Sequence, residues 1–242
     1  MKQVHLMLQS KGGCGKSFIA VQLAQYLRNK HDDMNFADTD VANQTFSKYK
    51  DLNARFIETV SNGIVSMTLF DPLIKMMVDE NANFLMDNGS SNFLPLTKYL
   101  AENDIYEIMH DSGKQIYMHC PLAGGGAADE TYTCLKKLVE TMGPHAKIIV
   151  WENEFWGPVE YGGKSITESK LYKDETKSGK IAGLINIRKQ NADYNISAIS
   201  TLATRSLTYR DIEKLPEFDF LVKNRIKKFQ QEIFNQLDTI VW

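Results

Sequence analysis

The feature that most constrains the fold is a glycine-rich turn near the start of the chain, which reads Ser-Lys-Gly-Gly-Cys-Gly-Lys-Ser over residues 10–17. The apolar residues before it predict a buried strand, and Ile19, Leu23 and Leu27 after it recur at helical spacing. Glycines between a strand and a helix let successive backbone N–H groups point inward, where the helix dipole adds to their attraction for an anion. The stretch therefore predicts a phosphate-binding loop.

Each residue of this loop has an expected part in binding a nucleoside triphosphate. Lys16 would reach the β- and γ-phosphates, and the Ser17 hydroxyl would ligate Mg²⁺. Cys14 lies between two lysines at a helix N-terminus, which should lower the pKa of its thiol, so alkylation of Cys14 should block nucleotide binding. The residues expected to contact the nucleotide here are Gly12, Gly13, Cys14, Gly15, Lys16, Ser17 and Phe18.

The composition excludes several other classes of protein. A chain of 242 residues with a net charge of −2 suits one α/β domain over 1–242, and it lacks the broad positive charge of many nucleic-acid-binding proteins. The C-terminal segment, from about 190 to 242, is expected to be helical. Three cysteines are too few for a disulfide framework. No apolar stretch approaches the roughly 20 residues that span a bilayer. We expect a cytoplasmic protein without a membrane span.

Acidic residues follow two of the predicted strands. Asp38 and Asp40 follow the second one, and residues two apart in an extended chain point to the same side. Asp87 ends a later apolar strand, an arrangement typical of a carboxylate that holds a water of the Mg²⁺ shell. Gly89 comes next and could offer a backbone N–H to the γ-phosphate. Because parallel strands bind ligands at their carboxyl ends, these residues should lie beside the phosphate-binding loop.

The loop departs from the usual phosphate-binding pattern at its first position, where Ser10 replaces glycine and Lys11 follows. The string Lys-Gly-Gly-x-Gly-Lys-Ser resembles the deviant phosphate-binding loop of the ParA/MinD group of ATPases. That resemblance implies that Lys11 reaches the nucleotide of a second protomer across a dimer interface. It also implies that Asp38 lies near the metal, that Asp40 orients the attacking water, and that Asn153, after a late predicted strand, contacts the adenine edge.

Four stretches resemble a narrower group, the TraL conjugal-transfer proteins of mobile plasmids and the related StbB plasmid-stability proteins. They are residues 5–20, 38–46, 87–96 and 151–158. The resemblance covers about the first two thirds of the chain. It implies a role in plasmid stability or conjugative transfer, and a protein partner from the transfer or partition apparatus. Direct contact with DNA stays open.

Together these features predict a P-loop NTPase of the α/β class, with a twisted, mostly parallel sheet of seven to eight strands and helices on both faces. The expected cofactors are ATP and Mg²⁺. The resemblance implies a homodimer that forms with ATP and separates after slow, partner-stimulated hydrolysis. The expected metal ligands are Ser17, Asp38 and Asp87, and the expected catalytic residues are Lys11, Lys16 and Asp40.

Several alternatives stay open. ATP-dependent ligases of the dethiobiotin-synthetase type share the expected fold and would need a substrate pocket instead of a flat dimer face. An iron–sulfur reductase similar to the nitrogenase iron protein needs a cysteine pair from each subunit, and the position of Cys134 in a predicted helix disfavours it. Phe155 and Trp156 would either stack on a base or anchor a loop. The helix predicted over 220–238 would dock on the core, contact a partner or DNA, or lie on a membrane surface.

Overall fold

The computed structural model describes residues 1–190 and 195–242. In these residues the strands are β1 (Lys2–Met7), β2 (Met34–Asp38), β3 (Arg55–Phe56), β4 (Val60–Ser61), β5 (Ile64–Val65), β6 (Asn83–Asp87), β7 (Lys114–Ala123), β8 (Lys147–Asn153), β9 (Glu160–Tyr161), β10 (Lys164–Ser165) and β11 (Ile181–Ile187). The α-helices are α1 (Lys16–Lys30), α2 (Asp71–Asp79), α3 (Phe93–Glu102), α4 (Ile105–Asp111), α5 (Ala128–Thr141), α6 (Lys170–Lys177), α7 (Asn195–Arg205), α8 (Tyr209–Lys214) and α9 (Phe220–Leu237).

Seven of these strands form one parallel sheet in the order β11-β8-β7-β1-β6-β2-β3. Strand β6 is buried along its whole length, as is typical of parallel strands covered on both faces. The chain leaves β1 toward β2 on one side, and after β6 it continues through β7 and β8 on the other. The end of β1 is therefore a switch point, where open α/β sheets bind ligands. The predicted α/β sheet is confirmed.

Helices cover both faces of the sheet and form two core clusters. On one face, α2 and α5 contribute apolar side chains such as Leu73 and Leu135. On the other face, α1 and α9 contribute Leu23 and Ile233. A third, smaller cluster joins α7, α8 and α9. The glycine-rich loop connects the carboxyl end of β1, the central strand of the sheet, to α1 on one of its faces.

The structure departs from the predicted elements where the local signal is weak or broken. The apolar spacing over residues 94–109 predicts a single helix, but the structure divides it into α3 and α4, because Asp104 adopts a left-handed φ of 52° between them. The sequence over 46–52 also predicts a short helix, but the structure has one 3₁₀ turn there, Phe46–Lys48. Helices α6 and α8 have eight and six residues, which is too short to show helical periodicity. Within the predicted C-terminal helical segment, the sequence places a helix over about 192–206, and its first residues lie outside the described residues.

Helix α9 packs against the core. This was one of the three alternatives that the sequence left open for residues 220–238, beside contact with a partner or DNA and attachment to a membrane surface. The side chains that it buries are Ile226, Phe229, Ile233 and Leu237. Phe220 and Leu221 at its start are exposed. Of the helices in the described part of the chain, none is at once long enough and apolar enough to cross a membrane.

Candidate functional site

The glycine-rich loop connects the carboxyl end of β1 to α1 through a backbone that requires glycine at two positions. Gly13 and Gly15 have φ values of 73° and 96°, in the left-handed region that favours glycine. A Cβ atom at Gly15 would lie 2.5 Å from Nδ2 of Asn153, so a larger residue would also collide with its neighbour. The loop and the end of β8 are therefore fitted closely to each other.

Lys16 is buried at the N-terminus of α1, and its ammonium group is held by neutral oxygens. It donates to the Ser90 hydroxyl at 2.5 Å and to the Lys11 carbonyl at 3.2 Å. Ser90 directly follows Gly89, but the sequence analysis did not select it, because a serine after a strand carries no signal of its own. In the fold, it brings the segment after β6 into contact with the loop.

Asp87 ends β6 and is fully buried behind the start of α1. Neither of its carboxylate oxygens accepts a hydrogen bond of good geometry from the described residues, although the Ser17 hydroxyl lies close enough to interact with the carboxylate. Burial raises the pKa of Asp87 to about 7; the Ser17 hydroxyl and Lys16 act against this shift, while the carboxylates of Asp38 and Asp40 add to it. A buried carboxylate without partners is costly, so these two oxygens fit a group that carries positive charge.

Asp38 and Asp40 lie near Asp87 but use their carboxylates differently. Asp38 is buried and accepts the backbone N–H groups of Asp40 at 3.0 Å and Ser47 at 2.8 Å. Burial raises the pKa of the Asp38 carboxyl, although these bonds act in the opposite direction. Asp40 is half-buried, and a Cβ at Gly89 would lie 3.1 Å from its Cα. Of the three acids, Asp40 is the one that lines the cleft described below.

Lys11 turns away from this cleft. Its Nζ atom lies 2.8 Å from Oε2 of Glu130, in the first turn of α5, and both side chains are well exposed. The partner belongs to the same chain and is distant in sequence, so no local pattern indicated it. The contact of Lys11 with a second protomer stays a prediction.

Asn153, at the end of β8, lines the cleft with an amide that already has partners. Its Nδ2 donates to the Cys14 carbonyl at 3.2 Å, and its Oδ1 accepts the Phe155 N–H at 3.2 Å. The side chain therefore ties the loop to the turn after β8, and its contact with adenine stays a prediction. Phe155 and Trp156 are 54% and 47% exposed beside the cleft, and stacking on a base and anchoring of the loop both stay open for them.

The loop opens into a cleft of about 610 Å³. Its floor is polar and comes from the loop and Ser90. Its opposite wall comes from the C-terminal part of the chain, with the side chains of Ile187, Arg188, Ile199, Ala203, Thr204 and Phe229. This wall could not be predicted from the sequence, because its residues belong to no motif and their apolar spacing indicates only a buried core. A polar floor with a partly apolar wall suits a ligand that has both phosphates and a ring.

The predicted lowering of the Cys14 pKa is wrong, whereas the effect of alkylation on nucleotide binding stays a prediction. Cys14 is buried, and burial raises the pKa of its thiol, outweighing Lys16 and the backbone N–H groups, which lower it. The expectation from the sequence considered the positive charges and the helix N-terminus but not the packing of the side chain. A buried thiol with a raised pKa is a poor target for alkylation.

Ser17, Asp38 and Asp87 are the expected ligands of Mg²⁺. This ion usually binds one or two carboxylates together with water and phosphate oxygens. Asp87 fits this ion because both of its oxygens lack partners. Asp38 has only its remaining lone pairs to offer, because each of its oxygens already accepts a backbone N–H. Within the described ranges, no three His, Cys, Asp or Glu side chains are placed to hold a metal by themselves. Phosphate oxygens would have to complete the shell.

Comparisons with known proteins agree with this arrangement. No family model matches the chain. Two curated proteins, both described as Protein TraL from Escherichia coli, are 30% and 29% identical over 238 residues, covering 98% of this chain and of each relative. Among solved structures, the MinC:MinD cell division protein complex of Aquifex aeolicus matches with a TM-score of 0.50 and 10% identity, covering 96% of both chains. Chloroplast FtsY from Physcomitrella patens matches with a TM-score of 0.50 and 11% identity, covering 80% of this chain and 60% of that one. At such low identities the structural matches show a shared fold.

Proposed function

The chain belongs to the TraL family, and from this premise we propose that it is an ATP-dependent dimerisation switch acting in the conjugative transfer or stability of a plasmid. Family and fold together support a plasmid-related, ParA-like ATPase. Nucleotide binding, slow hydrolysis and dimerisation are the finer parts of the proposal.

The observation that carries the proposal is the pair of Asp87 oxygens without partners, close to Lys16 and Ser17. A cation is needed to satisfy the carboxylate, and an anion is needed to satisfy the lysine. A nucleoside triphosphate with its magnesium ion brings both charges in one ligand. This match supports MgATP as the ligand of the cleft.

The chain offers a distinct group to each part of the nucleotide. Backbone N–H groups of residues 12–17 and the Lys16 ammonium would bind the phosphates. Phe18 and Phe229 line the apolar side of the cleft, where a base would lie, with Asn153 nearby. Ser17, Asp38 and Asp87 would hold Mg²⁺. When bound, that ion neutralises charge on the phosphate oxygens.

Hydrolysis requires a positioned water and stabilisation of the charge that develops on the γ-phosphate. Asp40 lines the cleft and would orient the water. Lys11 would stabilise the charge on the nucleotide of a second protomer, which requires it to leave Glu130. Hydrolysis would then separate the protomers, and a slow basal rate would let a protein of the transfer or partition apparatus set the timing.

The experiment that tests this proposal is a measurement of mass in solution by light scattering, with ADP, with ATP and without nucleotide. We expect a monomer with ADP and a dimer with ATP. Lys11→Ala should bind ATP but stay monomeric. Lys98→Ala is the matched control, because Lys98 is an exposed lysine paired with Glu102 on α3; it should dimerise as the unmodified protein does.

A mass that is the same in all nucleotide states would remove the dimerisation switch. If the protein still bound ATP in that case, an ATP-dependent ligase of the dethiobiotin-synthetase type would become the better interpretation. Failure to bind ATP at all would contradict the assignment of the cleft itself.

A further inference from the structure

Thr39 lies between the two acids that follow β2, and each of its polar groups bonds to the segment at the end of β6. Its N–H donates to the Asp87 carbonyl at 2.9 Å. Its hydroxyl donates to Oδ1 of Asn88 at 2.9 Å, and its carbonyl accepts Nδ2 of Asn92 at 2.8 Å. Thr39 is fully buried, so water does not compete for these groups. Movement of residues 87–92 would therefore carry Thr39 with it.

Asn92 joins a third segment to this network. It ends a short 3₁₀ turn, Ser90–Asn92. Its Nδ2 also donates to Oγ1 of Thr59 at 2.9 Å, in the stretch of chain between β3 and β4. Asn92 and Thr59 are buried as deeply as Thr39. One amide group therefore connects the ends of β2 and β6 to the segment after β3.

The network does not complete its own hydrogen bonds. Nδ2 of Asn88 and Oδ1 of Asn92 are buried and have no partner among the described residues. Buried polar groups without partners reduce stability, and apolar side chains of similar shape would avoid that cost. Stability alone therefore does not account for asparagine at these two positions.

The network is adjacent to residues that the proposed function assigns to hydrolysis. Asp40 directly follows Thr39 in the chain. A Cβ at Gly89 would lie 3.1 Å from Cα of Asp40, so the two backbones are in close contact. The turn Ser90–Asn92 begins with the serine that accepts a hydrogen bond from the buried ammonium group of the loop. The position of this turn therefore sets the position of Asp40 through Thr39.

We propose that Thr39 and Asn92 are positioning residues for ATP hydrolysis, which together hold Asp40 where it orients the attacking water. This role rests on the proposed function, in which Asp40 is the residue beside the water. Among the described residues, those that line the cleft include Asp40 but neither Thr39 nor Asn92. Loss of the Asn92 amide should therefore slow hydrolysis without weakening the binding of nucleotide.

The test measures single-turnover ATP hydrolysis and nucleotide affinity for the full-length protein and for Asn92→Ala. We expect the rate constant to fall at least about tenfold, because misplacement of a catalytic group by about 1 Å can cost roughly a hundredfold. The dissociation constant of a non-hydrolysable ATP analogue, from calorimetry, should change by less than about twofold. Thr39→Val keeps the shape of the side chain and removes the bond to Asn88, so it should slow hydrolysis in the same way even if Asn92→Ala does not fold.

Thr59→Val is the matched control. It disturbs the same buried network by removing one acceptor of the Asn92 amide, but it leaves the bond from Asn92 to the Thr39 carbonyl. Its stability should fall, whereas its rate of hydrolysis should equal that of the original protein. A rate that falls to the same extent in Thr59→Val and Asn92→Ala would assign the effect to stability and overturn the proposal.

A double substitution tests whether Asn92 acts through Asp40. Asp40→Asn should slow hydrolysis, and Asn92→Ala added to it should slow it by no more than about a further twofold. Effects that multiply would show that Asn92 acts independently of Asp40, which would overturn the proposal. An unchanged rate in either folded variant, Asn92→Ala or Thr39→Val, would overturn the role of the residue replaced. Original protein that neither binds nor hydrolyses ATP would instead overturn the proposed function, and the positioning role with it.

Discussion

Two buried polar clusters lie on the same sheet and differ in their hydrogen bonds. In the first, Nε1 of Trp151 donates to Nδ1 of His119 at 2.9 Å, and Nε2 of His119 lies 2.9 Å from Nδ1 of His5. Nε2 of His5 in turn lies 3.1 Å from Oε1 of Gln3. Every ring nitrogen of the two histidines has a partner. In the second cluster, Asp87 is equally buried, and its carboxylate has none among the described residues.

The difference is the one expected between a cluster that serves stability and one that, under the proposed function, binds a ligand. The Trp151 indole can only donate, so His119 accepts at Nδ1 and donates from Nε2, and the same order continues through His5 to Gln3. Such a chain is complete within the protein. Asp87 has no such set of partners, and under the proposed function the cost of burying it would be recovered when a ligand binds. Burial alone would not distinguish the two clusters.

The largest expected effect comes from breaking the complete cluster with His119→Ala. The substitution leaves the Trp151 N–H without its acceptor and creates a cavity, so the free energy of unfolding should fall by about 3–5 kcal/mol in urea titrations. The affinity of the folded protein for ATP should not change. His31→Ala is the control, since His31 is partly exposed. A loss of nucleotide affinity without a loss of stability would contradict the structural role of the cluster.

Asp87→Asn is expected to raise the free energy of unfolding, in contrast to His119→Ala. Without nucleotide at pH 8, this variant should be more stable by about 1–3 kcal/mol, because a neutral amide costs less to bury than a carboxylate. Its affinity for ATP in the presence of Mg²⁺ should nevertheless fall by at least about tenfold. Unfolding in urea and calorimetry measure the two quantities. A variant that is less stable than the original protein would show that Asp87 has a structural partner.

The pH dependence of stability should separate the clusters further. Burial lowers the pKa of His119 to about 3 and that of His5 well below 6.5, so the unfolded chain binds more protons between these values, and stability falls as the pH falls. Asp87 acts in the opposite direction. Its pKa rises from 3.8 to about 7, so its contribution to stability is lost as the pH rises through that window.

The comparison of Asp87→Asn with the original protein isolates the carboxylate. Between pH 5 and 6, the stability advantage of the variant should grow by slightly less than about 1.4 kcal/mol per pH unit and more slowly toward pH 7, because the folded original protein keeps a proton on Asp87 that the unfolded chain has lost, whereas the histidines titrate in both proteins and cancel. Urea titrations at several pH values measure it. A difference that stays constant across this range would mean that the carboxylate of Asp87 does not titrate there.

The sheet and the loop could be predicted from the sequence because their signals are local. Strand β6 is one apolar run that ends in Asp87, and the loop shows its glycines and lysines in one short string. Since the carboxyl ends of parallel strands meet at one edge, the sequence also indicated that Asp38, Asp40 and Asp87 would lie together.

The remaining features depend on contacts between residues distant in the chain. The wall of the cleft formed by Thr204 and Phe229 exists only because α7 and α9 pack beside the loop. The raised pKa of Cys14 follows from its burial, which the charges of its neighbours in sequence do not reveal. The pair between Lys11 and Glu130 joins the loop to α5, and no periodicity in the sequence links them.

Breaking the ion pair between Lys11 and Glu130 should have the smallest of the expected effects. Glu130→Gln should free Lys11 for a second protomer and strengthen ATP-dependent dimerisation by about two- to fivefold, because an exposed ion pair contributes only about 0.2–1 kcal/mol. The dimerisation constant from light scattering is the measurement. Stability should change by less than about 0.5 kcal/mol.

Glu140→Gln is the matched control, since Glu140 is exposed on the same helix and its substitution changes the net charge equally. If both substitutions strengthened the dimer to the same extent, net charge alone would account for the result. If only Glu130→Gln did so, the partner of Lys11 within the chain would be a competitor of the second protomer. The outcome therefore decides whether this exposed pair, unlike the complete histidine cluster, is one that the protein breaks in order to act.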